Sequence, residues 1–182
     1  MKKDISWNKI KPETKSVWAG ETDSFPYNTT QPSTVNSVAF SYDNVEEWMA
    51  VAKGDKKGYI YGRNTNPTVE ILEKKVAILE GAESSTAFSS GMAAISNTLF
   101  ANLKPGDRVV VGKDSYGGTS KIFMEFLPKF DIDVVFCDTT DIKKFKKEIE
   151  KKCDLLYLET PTNPTLKIQD IQALTEYTKT SK

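Results

Sequence analysis

From Gly58 onward, turn residues punctuate the sequence at short intervals, and between them strand-length apolar runs alternate with stretches of helical periodicity. Asn66-Pro67 reads as a helix start: Asn caps, and Pro sits in the first turn, where its missing N–H costs nothing. Val69, Leu72, Val76 and Leu79 line one face of that helix, and Gly81 ends it. Thr86-Ala87-Phe88 reads as a short strand running into a Ser-Ser-Gly turn. A helix through Met92, Ile95, Leu99 and Phe100 stops at Lys104-Pro105-Gly106. The pattern then predicts strands at Arg108 to Gly112, Val134 to Cys137 and Leu155 to Leu158. Helices are predicted at Gly118 to Phe130, Asp141 to Lys152 and Asp170 to Thr178. Such alternation predicts an α/β fold, a parallel-rich sheet with helices on both faces in three αβα layers.

Residues 1–57 differ in character. They are rich in Thr, Ser, Asn and Pro, carry all three tryptophans (Trp7, Trp18, Trp48) and offer one short helix at Asn44 to Lys53. This part reads as an extended, loop-rich N-terminal arm that packs against something else, and 58–182 as the α/β domain. In KKFKKEIEKK, Ile142, Phe145 and Ile149 form the buried stripe and the lysines a solvated face.

Composition narrows the function. Lys and Arg number 25 and Asp and Glu 25, which removes the electrostatic pull of a nucleic-acid binder. No apolar run approaches the roughly 18 residues of a membrane span, and the N-terminus lacks the apolar stretch of a secretory signal, so a cytoplasmic protein is expected. There is no histidine, which closes His-based catalysis and His metal sites; no metal is expected. Cys137 and Cys153 have no CxxC spacing and read as reduced core thiols.

Ligands of such sheets bind at the carboxyl ends of the strands, and four polar turns stand out. Ser89-Ser90-Gly91-Met92 opens a helix whose N–H groups suit a phosphate. In Asp114-Ser115-Tyr116-Gly117-Gly118, paired glycines admit a ligand and an aromatic can stack on a flat ring. Two prolines stiffen Glu159-Thr160-Pro161-Thr162-Asn163-Pro164, which holds Glu159 and Asn163 in place. Tyr61 and Arg63 set a phenol beside a phosphate-matching fork. Taken singly, each is explained by a turn or a surface side chain.

Together, YGRNTNPT, SSGMAA, GDRVVVGKDSYGGT and YLETPTNPT resemble the pyridoxal-phosphate enzymes of cysteine and methionine metabolism. These are the cystathionine synthases and lyases, methionine γ-lyase and the homoserine sulfhydrylases, and the resemblance runs from about Thr14 to the end. It implies the large domain of a fold type I pyridoxal-phosphate enzyme, here incomplete, behind an N-terminal arm. It also implies that Ser90, Gly91 and Met92 hold the cofactor phosphate and that Tyr116 stacks on the pyridine ring and moves protons near the substrate. Asn163 would bond the 3′-oxygen, with Glu159 supporting its loop. Tyr61 and Arg63 would reach the phosphate of a neighbouring subunit, so active sites shared within a dimer, and a homotetramer, are expected.

Two departures are visible. Lys121 stands where many relatives have arginine, keeping the charge and losing the fork. The family's cofactor-anchoring lysine, its pyridinium-pairing aspartate and its substrate-gripping arginine lie beyond YLETPTNP, and the sequence stops at Ser181-Lys182; Lys167 is not that lysine. The expected function is therefore a transsulfuration-type enzyme acting on a sulfur amino acid or activated homoserine by elimination or γ-replacement, with the lysine-bearing half absent. The alternatives are one half of a split enzyme that needs a complementary C-terminal half, and a non-catalytic remnant or interaction module. A sheet cut at an apolar edge is also expected to self-associate.

Overall fold

The structure, a computed structural model, describes residues 5–21 and 25–180. The Lys2-Lys3 start and the Ser181-Lys182 end, on which the reading of the termini rests, lie outside the described residues. The chain divides into two compact units, Met1–Ala87 and Phe88–Lys182.

In the first unit, α1 (Pro12–Trp18) is a helix the sequence did not announce, while α2 (Val45–Ala52) lies where Asn44 predicts it, with the Asn44 side chain accepting from Glu47 N–H. The third helix, α3 (Pro67–Glu80), is built as its sequence demands. The Asn66 side chain accepts from Thr68 N–H at 2.8 Å, and Gly81 closes the helix in the left-handed region at φ 65°. Gly20 joins α1 to α3: a Cβ there would lie 2.7 Å from the Ile71 carbonyl, and its φ is 79°. The stripe of Val69, Leu72, Val76 and Leu79 faces outward, each 39 to 53 % exposed.

The second unit carries the sheet. The middle strand β1 (Arg108–Gly112) pairs in parallel with β2 (Asp133–Cys137) on one side and β3 (Leu155–Tyr157) on the other. Val110 lies opposite Val135 and Leu156. The two-residue period of β1 sends Val109 and Val111 to one face, where they meet Leu99, Phe123, Leu127 and Ile132. Val110 goes to the other face with Cys137, Phe145, Ile149 and Leu174. The first face is covered by α4 (Gly91–Asn102) and the segment from α5 (Gly117–Lys121) to Phe130. The second is covered by α6 (Ile142–Lys151) and α7 (Ile171–Thr180). Helices on both faces of a parallel sheet make the three-layer αβα arrangement expected from the alternation. Cys137 is buried and Cys153 half-buried, and both are free thiols.

Two expectations need correction. Thr86-Ala87-Phe88 is not a strand: its backbone joins no ladder, and Ala87 N–H instead donates to the Glu73 carboxylate at 2.8 Å. Extended backbone becomes a strand only beside another strand's edge, and none of the described strands lies next to it. The Gly118 to Phe130 helix is also not uniform. It runs as α5, then a π-helical turn at Ile122–Phe126, then a 3-10 turn at Leu127–Phe130. Pro128 lacks an N–H and its ring collides with the preceding turn, so the ladder must widen ahead of it.

Candidate functional site

Because the three strands are parallel, their carboxyl ends share one edge of the second unit, and the turns leaving them carry most of the residues singled out above. The start of α4 lies in the same unit. There the Ser90 hydroxyl oxygen accepts from Ala93 N–H at 3.1 Å, which keeps its own O–H free to donate. The Gly91 and Met92 N–H groups have no partner among the described residues, and nothing stands within 4 Å of where a Gly91 Cβ would be. A helix of twelve residues adds its positive end. This is an open set of donors for an anion.

Tyr116 leads into α5 and is 51 % exposed. Gly118 lets that ring approach Met92: a Cβ on Gly118 would lie 2.9 Å from the ring and 3.1 Å from the Met92 sulfur. The buried Thr119 hydroxyl points at the same sulfur from 3.8 Å. The helix-start turn and the tyrosine turn are therefore packed together.

Glu159, half-buried just after β3, ties the tyrosine turn to the proline loop. Its carboxylate accepts from Tyr116 N–H at 3.1 and 3.2 Å, and from Asn163 N–H at 3.2 Å. One anion thus fixes two backbone donors contributed by different strand ends, a charge-assisted arrangement. The Asn163 residue itself is exposed, so its side-chain amide is presented to solvent. Behind the loop, Thr162 is fully buried and holds the turn closed, accepting from Lys167 N–H at 2.9 Å.

Beneath these residues lies a polar layer that sequence reading missed. Asp114 accepts from the Thr139 hydroxyl at 2.7 Å and the Lys167 ammonium at 2.9 Å, and those two contacts, in that order, hold its carboxyl below the usual aspartate value. The Gln169 side chain joins the ends of β2 and β3. In the sequence Lys167 stands out only as a lysine that is not the cofactor-anchoring one, and Gln169 carries no motif; its value comes from burial, which a single polar residue in TLKIQD does not announce.

Of the predicted residues, the structure brings Met92, Tyr116, Glu159 and Asn163 into one connected set, with Ser90 and Gly91 adjoining Met92 at the start of α4. Tyr61 and Arg63 belong to the first unit. There the Arg63 guanidinium sits over the Tyr61 ring, 5.1 Å from its centre, while the Tyr61 backbone bridges to Ala39. Lys121 ends α5 and is exposed. Among the described residues no cluster of three His, Cys, Asp or Glu side chains could hold a metal ion, and no helix is long and apolar enough to cross a membrane.

Chemically, the set offers anion donors at a helix start, an exposed phenol ring next to them and an amide on a pinned loop. A phosphate monoester attached to a flat heteroaromatic ring that bears a hydroxyl oxygen matches those three features, and pyridoxal phosphate has that constitution.

Comparison with known proteins agrees. The sequence pattern of the family described as Cys/Met metabolism PLP-dependent enzyme matches residues 13–182. An L-methionine gamma-lyase of Fusobacterium nucleatum subsp. polymorphum is 41% identical over 155 residues, which is 85% of this chain and 39% of that protein. Cystathionine beta-lyase MetC of Bacillus subtilis is 46% identical over 121 residues, 66% of this chain and 31% of that enzyme. In three dimensions, cystathionine gamma synthase from Xanthomonas oryzae pv. oryzae, solved with aminoacrylate and cysteine, superposes with a TM-score of 0.82 at 33% identity over 94% of this chain and 42% of its own. The chain thus spans about a third to two fifths of the length of these relatives. Motifs, fold and family pattern agree over nearly all of its residues: the chain belongs to the pyridoxal-phosphate-dependent enzymes of cysteine and methionine metabolism, and its sheet is an incomplete fold type I large domain.

Proposed function

We propose that this chain supplies the phosphate-holding and ring-covering part of an enzyme that acts on a sulfur amino acid or an activated homoserine by elimination or γ-replacement. The observation that carries this reading is the Glu159 carboxylate, which pins Tyr116 and Asn163 beside the open start of α4. When bound, pyridoxal phosphate supplies the electron sink that lets bonds at the carbons of an amino acid be broken.

The chain's own residues do the rest. Gly91 and Met92 N–H and the Ser90 hydroxyl hold the phosphate, the Tyr116 ring covers one face of the heterocycle, and its phenol moves a proton beside the substrate. The Asn163 side-chain N–H would donate to the 3′-oxygen carried by the ring, and Glu159 keeps both turns from drifting. Tyr61 and Arg63 donate to the phosphate of a second copy, which makes the working enzyme a homo-oligomer. The cofactor-anchoring lysine comes from the part of the relatives' length that this chain does not span.

The test uses pyridoxine 5′-phosphate, which has the ring and phosphate but no aldehyde and so cannot react with the chain's lysines. Amide hydrogen exchange should slow at Gly91, Met92, Tyr116 and Asn163 on adding it, and pyridoxine without phosphate should leave Gly91 and Met92 unprotected. Equal effects from both compounds, or protection elsewhere, would contradict the assignment.

A further inference from the structure

Gln169 lies 10 residues beyond Glu159 in sequence and touches none of the groups assigned to the cofactor, yet it is 94 % buried, its exposure being 6 %. Its two ends have different partners. Oε1 accepts from Glu159 N–H at 3.0 Å, and Nε2 donates to the Thr139 carbonyl at 3.4 Å. An amide with a donor end and an acceptor end so occupied has one orientation, and rotating it by half a turn would lose both contacts. Its own backbone N–H donates to the Thr160 hydroxyl at 3.1 Å, which fixes the side chain from behind.

The amide also lies directly over the end of β1. A Cβ on Gly112 would lie 3.1 Å from Gln169 Nε2 and 3.5 Å from the Thr139 hydroxyl oxygen. Gly112 is buried, so the glycine makes room for the amide rather than for solvent. The two residues bonded by Gln169 are the two from which the site is suspended. Thr139 holds Asp114 in the turn that leads to Tyr116, accepting from Asp114 N–H at 3.1 Å and donating to its carboxylate at 2.7 Å. Glu159 holds the Tyr116 and Asn163 N–H groups.

We propose that Gln169 is a positioning residue: its side-chain amide sets the spacing between the ends of β2 and β3, and through the Glu159 backbone sets where the Glu159 carboxylate holds Tyr116 and Asn163. Its relevance to catalysis rests on the function proposed above; its mechanical part does not, and the test separates the two.

Amide exchange is read residue by residue on the chain without any ligand. Gln169→Leu keeps the volume and removes both side-chain bonds, leaving Glu159 N–H and the Thr139 carbonyl unpaired. Exchange at Tyr116 and Asn163 should rise about tenfold while Val109, Val110 and Val111 change by less than about twofold. Gly112→Ala keeps the glutamine but presses on its amide, and it should give the same local pattern with a smaller amplitude. If the Leu variant unfolds, the Ala variant decides. Unchanged exchange at Tyr116 and Asn163, or a rise spread evenly through β1 in both variants, would overturn the proposal.

A second reading adds pyridoxine 5′-phosphate. Weaker binding by Gln169→Leu, together with the local exchange pattern, supports the catalytic relevance. Local loosening with unchanged affinity would keep the mechanical role and remove the functional one.

Discussion

At the scale of single residues, the candidate site is shaped by the neighbours that hold its side chains in place. Gly118 shows this well, because its hydrogen lies where a methyl would press on the Tyr116 ring from 2.9 Å and on the Met92 sulfur from 3.1 Å. Both neighbours are side chains, and the tyrosine is half-exposed, so it has open space into which to swing. Gly118→Ala should therefore cost less than about 1 kcal/mol of stability, well below the cost of overpacking a closed core. It should nevertheless weaken pyridoxine 5′-phosphate binding about tenfold or more by carrying the ring off the cofactor face. Thermal unfolding and a binding titration on the same variant check both halves. A large stability loss with intact binding would show that the contact supports the fold and not the site. The residues proposed to face the cofactor stand in sequence motifs, and the structure sets Met92, Tyr116, Glu159 and Asn163 together. The roles of Thr139, Gln169 and Gly112 were not legible in the sequence, since they arise from which strand ends meet, and only the sheet order decides that.

At the scale of elements, α6 shows how a strongly basic helix is fastened to an apolar sheet. Phe145 and Ile149 pack under it as the period predicts, but Glu148 is buried with them, its side chain 3 % exposed. Hydrogen bonds from Lys144, then Lys151 and then Arg108 push its carboxyl down to about 2. Arg108, the first residue of β1, also donates to the Glu148 and Lys152 carbonyls at 2.8 and 2.6 Å. The folded value lies below the ordinary 4.5, so this group's contribution to stability is complete above pH 4.5. It is lost as pH falls from there towards 2. Glu148→Gln should flatten that acid-side decline, read as the slope of denaturation midpoint against pH, and an unchanged slope would show that other carboxyls set it. The lysines form the solvated face that the sequence predicts, and Lys144 and Lys151 also reach the Glu148 carboxylate from it. The elements were otherwise legible wherever a cap and a period coincide, as in Asn66-Pro67 with α3, Ser90 with α4 and Asp141 with α6. They were not legible where tertiary placement decides, as at Thr86 to Phe88, whose backbone is extended but unpaired.

At the scale of the whole molecule, two apolar surfaces stand out, one in each compact unit. The α3 stripe of Val69, Leu72, Val76 and Leu79 is outward-facing and apolar, and no charge interrupts those four positions. Among the described residues strand β3 pairs with β1 only, and all three of its residues, Leu155, Leu156 and Tyr157, are half-buried. Beside it a cavity of about 300 Å³ is lined by Ala94, Ile95, Thr98 and Leu99 together with those three. A parallel strand with that composition belongs inside a sheet, covered on both faces and paired on both edges. On the function proposed above, the chain would work inside an assembly that covers these surfaces and supplies the rest of the cofactor pocket. Native mass spectrometry of the protein purified from its source cells tests this most directly. The expected spectrum shows a complex of at least two copies that retains pyridoxal phosphate and loses it on denaturation or reaction with hydroxylamine. A monomer that carries no cofactor, and acquires none when pyridoxal phosphate is added, would contradict the account.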